Sequence, residues 1–213
     1  MRPALPHFAL LGLSLLNSLG SLSANASEWP FTAYLDGTEI GQHRFAITES
    51  DDAIMLTSEA DFKVKVLFIN AYQYQHRASE VWQNDCLQKL EARTEENRDV
   101  SLVVGRQQSG SFKVEGPKGQ LALPDCAMTF AYWNPKMLEQ DKLLNPQTGE
   151  WLDVDIRRIG RETIEVRGQP VTAERYRLTA PKMKIDLWYS EKQEWLALES
   201  TTPEGYLISY KLR

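Results

Sequence analysis

Only two cysteines and three histidines occur among the 213 residues, and no part of the chain carries a basic block, a low-complexity run or an internal repeat. Each scarcity removes a class of function. Without clustered Lys and Arg there is no electrostatic footprint for nucleic acid or for an anionic membrane surface. A G-x-S-x-G elbow, an H-E-x-x-H pair, a phosphate-cradling glycine loop and a dinucleotide fingerprint are all missing, which argues against an enzyme and implies no cofactor. Long apolar runs are missing too, with one exception at the N-terminus.

That exception is informative. Arg2 supplies a positive start, Phe8 to Leu22 is uncharged and leucine-rich, and Ala24-Asn25-Ala26 gives the small-x-small pattern that signal peptidase reads. The run is about fifteen residues, short of the roughly 20 needed to span a bilayer, and Glu28 follows closely. Residues 1–26 are therefore expected to be a cleaved signal peptide and the product a periplasmic protein starting at Ser27. No cysteine lies near the cleavage point, so a lipid-modified N-terminus is not expected. Residues 27–213 are enough for one domain with a real core.

Both cysteines, Cys86 and Cys126, lie in the exported part, where an even pair reads first as a disulfide. Zinc held by the two cysteines with His43 and His76 is a rival, but no pair among the four has close ligand spacing, so no metal is expected. Two free thiols are the remaining alternative.

Glycine, asparagine and proline punctuate residues 27–213 every eight to fifteen residues, and between them apolar and polar residues tend to alternate. Period-two alternation between turn residues is an all-β signal. Asp36-Gly37 between two such segments predicts a tight hairpin, and Gly116-Pro117-Lys118-Gly119 another. One break stands out. Asn134 is a plausible helix N-cap with Pro135 at the first helical position, so a short helix is predicted near residues 135–143, stopped by Asn145-Pro146. About a dozen short strands must close or curl to manage their edges. The expectation is a curved antiparallel sheet forming a barrel or half-barrel.

Along the segment Asn70 to Trp82 the even positions carry Tyr72, Tyr74, His76, Ala78, Glu80 and Trp82, and the odd ones are mostly polar. The even face should point inward. Tyr72, Tyr74, His76, Glu80 and Trp82, with Trp133 from the irregular stretch after Cys126, are the candidate ligand-binding residues; no catalytic residue is assigned. A carboxylate between Ala78 and Trp82 costs several kcal/mol unless it is paired, so Glu80 should meet an arginine such as Arg44 or Arg93, or a tyrosine, or else a ligand. His76 and Glu80 lie roughly 13 Å apart on an extended strand, too far for a contiguous acid–base pair. His43 is expected as a hydrogen-bonded core histidine that can meet His76 or Glu80 across the sheet. Ala131 to Pro135 reads as a disulfide-tethered lid or, by slight preference, a plug.

Tyr34-Leu35-Asp36-Gly37 with Ile40-Gly41, Glu80-Val81-Trp82 with Leu87 and Leu90, Tyr132-Trp133-Asn134, Leu144 with Gly149, and Asp186-Leu187-Trp188-Tyr189 resemble exported bacterial proteins. These form domain-of-unknown-function family number 6134, related to the wider 3108 group. The resemblance spans nearly all of residues 27–213. It implies export and a β-rich fold and carries over no catalytic residue. A curved sheet of this kind also resembles periplasmic lipoprotein and lipid carriers, an analogy of fold alone. The leading expectation is a binding or carrier module for an apolar or lipid-like ligand. The alternatives are an envelope interaction protein with a filled core and a protein partner, or an enzyme of envelope lipid or glycan metabolism.

Overall fold

The computed structural model describes residues 25–50, 53–66, 69–202 and 204–213. The predicted export segment up to residue 24, Asp51-Asp52, Leu67-Phe68 and Pro203 lie outside them.

Thirteen strands join in one antiparallel sheet. In chain order the first eight are β1 (Asn25–Leu35), β2 (Thr38–Glu49), β3 (Ile54–Val66), β4 (Ile69–Gln83), β5 (Cys86–Glu96), β6 (Asp99–Gln108), β7 (Ser111–Gly116) and β8 (Gly119–Leu123). A small ribbon follows, β9 (Lys142–Leu144) with β10 (Trp151–Asp153). The large sheet resumes with β11 (Asp155–Val166), β12 (Gln169–Ala180), β13 (Met183–Tyr189), β14 (Trp195–Thr201) and β15 (Leu207–Leu212). Neighbours in sequence are neighbours in space, except that β15 pairs with β1 and joins the two halves. The edges are β8 and β11, and they do not pair with each other.

Local chemistry accounts for the meander. Asp36 and Gly37 both take positive φ, 46° and 79°, which is the mirror-image turn that matches strand twist. Arg167 and Gly168 repeat it, at 51° and 74°, between β11 and β12. At Gly105 the requirement is space: a Cβ there would lie 2.4 Å from the ring of Phe112 on the neighbouring strand, so the ring covers a position that only glycine leaves open. Alternation then puts one face inside. Phe45, Leu56, Trp82, Leu90, Val103, Phe112, Leu178, Leu187 and Leu198 come from both halves of the sheet and share one core, which requires the sheet to curl over itself.

Residues 124–154 lie in the gap between the two edges in sequence and supply the middle of that core. Ala127, Met137, Leu143 and Leu144 are wholly buried, and Met128 and Ala131 nearly so. The segment is fastened at several points: Leu87 N–H donates to Ala127 O at 3.2 Å, the Tyr189 hydroxyl donates to Tyr132 O at 2.8 Å, and Asp85 accepts from Asn134 and Lys136. The helix predicted near 135–143 is shorter than expected. Asn134 caps it, accepting from Lys136 N–H, but it is a 3-10 helix over Pro135–Glu139 only. Lys142–Leu144 is extended because Leu144 N–H donates to Met128 O and the strand pairs with Trp151–Asp153, and Leu143 and Leu144, on its two sides, are both buried.

Cys86 and Cys126 are bridged, with Cα atoms 4.7 Å apart. The disulfide ties the start of β5 to the start of this inner segment. It closes a loop whose ends are 40 positions apart, worth about 4 kcal/mol in the chain-entropy account. Replacing both cysteines by serine should lower unfolding free energy by about that amount in urea titrations, and reductant should reproduce it; a loss below about 1 kcal/mol would show that the segment is held without the bridge.

Candidate functional site

The even face of β4 does point inward. His76 and Glu80 are 3 % exposed and Trp82 1 %, whereas Tyr72 and Tyr74 nearer the strand's start are half-buried. The candidate residues thus divide between two ends of the curl.

At one end the inner segment fills the space. Trp82 meets Trp133 edge to face, with ring centres 5.6 Å apart. Glu80 lies beneath them, accepting from Trp82 Nε1 at 2.8 Å and from the Thr129 hydroxyl at 3.3 Å. The expected arginine or tyrosine partner is not there: Arg44 pairs with Glu28 and Arg93 with Glu95, both on the outer face. Alternation explains the correction, since these arginines and Glu80 sit on opposite faces of the sheet. Glu80 is therefore held by two neutral donors. Burial pushes its carboxyl up to about 7, against the two hydrogen bonds, which pull it down.

At the other end rings and hydroxyls converge. Phe62 stacks on Tyr74 at 5.3 Å, Tyr74 continues to His76 at 6.5 Å, and His43 lies 6.5 Å from His76. The strand register sets this up, pairing Phe62 with Tyr74 and His43 with Ala60, which itself faces His76. His43 Nε2 is 2.8 Å from the Ser58 hydroxyl and its Nδ1 3.1 Å from the Tyr210 hydroxyl. A neutral imidazole donates to one of them and accepts from the other. His76 Nδ1 is 2.9 Å from the Thr94 hydroxyl. Tyr132 reaches in from the inner segment, its ring 5.1 Å from Trp195. Burial lowers both histidines, His76 to about 4, and His43 is lowered further by its neighbour His76. Burial raises the phenols of Tyr74, Tyr132 and Tyr210, and the neighbouring phenols raise Tyr74 and Tyr210 further. Tyr72 sits at the rim beside Glu96. The cluster is thus aromatic and rich in hydroxyl and imidazole groups, with the Glu96 carboxylate at its rim.

Sequence reasoning found Tyr72, Tyr74 and His76 in this cluster and missed Phe62, Tyr132 and Tyr210 as members. Phe62 was readable as an inward even position of its own strand; Tyr210 comes from the last strand, and only the pairing of β15 with β1 brings it near. Among the described residues no group of three or more His, Cys, Asp or Glu is placed to hold a metal. His76 and Glu80 do not meet, as their spacing required.

The Asp186-Leu187-Trp188-Tyr189 motif spans the sheet. Leu187, Trp188 and Tyr189 all belong to the buried core, and Asp186, also buried, lies on the Trp188 face of the strand between Arg175 and Arg177, with the Trp188 indole N–H donating to Glu162. Arg177 holds Asp186 at 2.7 and 2.8 Å, Arg175 holds it at 2.6 Å, and Arg175 lies 5.0 Å from the Trp188 ring centre. These ion pairs explain the motif as packing.

The fold defines a β-barrel-like protein with an open seam. A crystal structure described as a beta-barrel-like protein of domain of unknown function DUF1849, from Brucella abortus, superposes with a TM-score of 0.61, covering 90% of this chain and 96% of that one at 7% identity. That likeness concerns the fold alone. The chain belongs to the family described as Domain of unknown function (DUF6134), whose profile matches residues 31–213. No curated protein matches it.

The two ends respond oppositely to pH. Between about 4 and 6.5 the native state binds fewer protons at His43 and His76 than the unfolded chain does, so their stabilisation is complete above 6.5 and lost as pH falls. Glu80 binds its proton more tightly when folded, so its contribution is complete below 4.5 and lost as pH rises through about 7. Glu80→Gln should remove the second slope, gaining on the parent by about 3 kcal/mol between pH 4.5 and 8 in urea midpoints. Parallel curves for parent and variant across that range would contradict the placement of Glu80 beside neutral donors only.

Proposed function

We propose that this is a periplasmic binding or carrier module whose ligand has an apolar body and an uncharged, hydrogen-bonding head. The observation that carries the reading is the convergence of Tyr72, Tyr74, Tyr132, Tyr210 and His76 at the end of the curl where Ala33, Ala60 and Phe62 form a cluster apart from the one that holds Met137, Leu143 and Leu144. Stacked rings offer dispersion and apolar area to a hydrocarbon body, and phenols with neutral imidazole offer donors and acceptors to its head. With no cation among the described residues of this cluster, a phosphate or carboxylate head would be desolvated without compensation. The apolar-run and Ala24-Asn25-Ala26 pattern support export.

A filled-core interaction protein of the envelope is the second reading, favoured by the complete burial of Met137, Leu143 and Leu144 and by the Trp82–Trp133 contact. On that reading Trp82, Glu80 and Trp133 serve folding.

Native mass spectrometry of the chain recovered from the cell envelope distinguishes the two. A carrier should show a polypeptide beginning at Ser27 with a neutral amphiphile attached, and Tyr74→Ala should lose the adduct while Trp133→Phe keeps it. A bare polypeptide mass from gently handled material, with a cross-linked envelope protein in its place, would overturn the carrier reading in favour of the second.

A further inference from the structure

The edge strand β11 contains one irregularity, and it gathers charge. Residues three apart on a regular strand face opposite ways. The register of β11 against β12 shifts between Arg158 and Gly160, so that Arg158 stands opposite Tyr176 and Arg161 opposite Glu174, both on one face of the sheet. On β13 the same face continues with Leu187 and Tyr189. Arg158 and Arg161 each donate to Glu174 through Nε. The Glu174 side chain is 13 % exposed, and the hydrogen bonds from Arg158 and Arg161 hold its carboxyl down at about 2, so it is ionised at any ordinary pH. Two cations on one carboxylate leave a positive charge over.

That charge lies in the wall of a pocket of about 270 Å³, which Leu138 of the inner segment, Tyr176, Ser190 and Glu191 also line. Use of Nε for Glu174 leaves the Nη groups of both arginines to other acceptors. Among the described residues their one further contact with a carboxylate is from Arg161 Nη1 to Glu191, 3.7 Å away. Glu191 is 71 % exposed on the turn after β13, so that contact is weak and screened. We infer that this pocket is a binding site for a small carboxylate with an aromatic or apolar body, distinct in every residue from the tyrosine–histidine cluster. Guanidinium groups present paired N–H donors that match a carboxylate, and Tyr176 and Leu138 supply apolar surface for the body. Glu191 shows where the ligand's oxygens go, since it brings the chain's own carboxylate to the same Nη group. An incoming carboxylate displaces it.

Titration of the disulfide-intact chain with benzoate and with benzamide, its uncharged counterpart, reads this by amide NMR at fixed ionic strength. Benzoate should give saturable shifts confined to residues 158–161, 174–176 and 189–193, with a Kd of about 1 mM. Benzamide should bind about tenfold more weakly or not at all. Arg161→Gln should weaken benzoate about tenfold, and Glu191→Gln, which removes the competing carboxylate, should tighten it about threefold. Glu191 is on an exposed turn, so its variant remains informative if Arg161→Gln disturbs the fold. Asp155→Asn, further along the same strand, should change nothing. Benzoate that does not saturate, shifts centred on Tyr74 and His76 instead, equal binding of benzamide, or a Kd unmoved by Arg161→Gln or by Glu191→Gln overturns the inference.

Discussion

An antiparallel sheet of thirteen strands that does not close has nothing in its own hydrogen bonding to keep it curled; its inner face must be given something to bury. Residues 124–154 are what it is given. Met137, Leu143, Leu144 and Ala127 contribute little backbone pairing to the large sheet, yet they are the residues against which both halves pack. The segment is irregular because it must present side chains in several directions at once, which neither a regular helix nor a long strand does. Its own polar backbone is then met locally, by β9 and β10, by the Asn134 cap and by the carbonyl contacts to Leu87 and Tyr189.

The same constraint divides the interior. Where the segment reaches, the core is dense and closed, and Glu80 is accommodated by borrowing the indole N–H of Trp82 two residues along its own strand. Where it reaches with Tyr132 alone, the sheet's rings and hydroxyls face one another instead. Two histidines stay neutral there because burial disfavours the charged form, and their hydrogen-bond partners are hydroxyls. Chemistry of that kind suits recognition by shape, stacking and neutral hydrogen bonds better than proton transfer at neutral pH.

Much of this was legible in the sequence because strands joined by tight turns are specified locally. Asp36-Gly37, the Gly116 to Gly119 hairpin and the alternation of Tyr72 to Trp82 each fix structure within a few residues, and the segments read there became β1 to β8. The Cys86–Cys126 bridge was readable from the even number of cysteines. Less legible was anything set by distant pairing. That buried Glu80 needs a partner, an arginine, a tyrosine or a ligand, is legible locally, but which partner it finds depends on Thr129, 49 positions away, and on a strand's facing. The stretch 135–143 carried a good helix start and no strand alternation; its second half became extended only because Trp151–Asp153 came to pair with it. Tyr210 joins His43 across 167 positions, through a β15–β1 pairing that no local pattern announces.

Amide hydrogen exchange resolved along the chain tests the central claim, that the inner segment is a permanent part of the core and holds the sheet in its curl. The account predicts that residues 127–144 exchange as slowly as β1 and β13, opening only with the whole fold, in spite of their irregular backbone. Fast exchange across 127–144 while the strands stay protected would contradict it, leaving the sheet curled for some other reason.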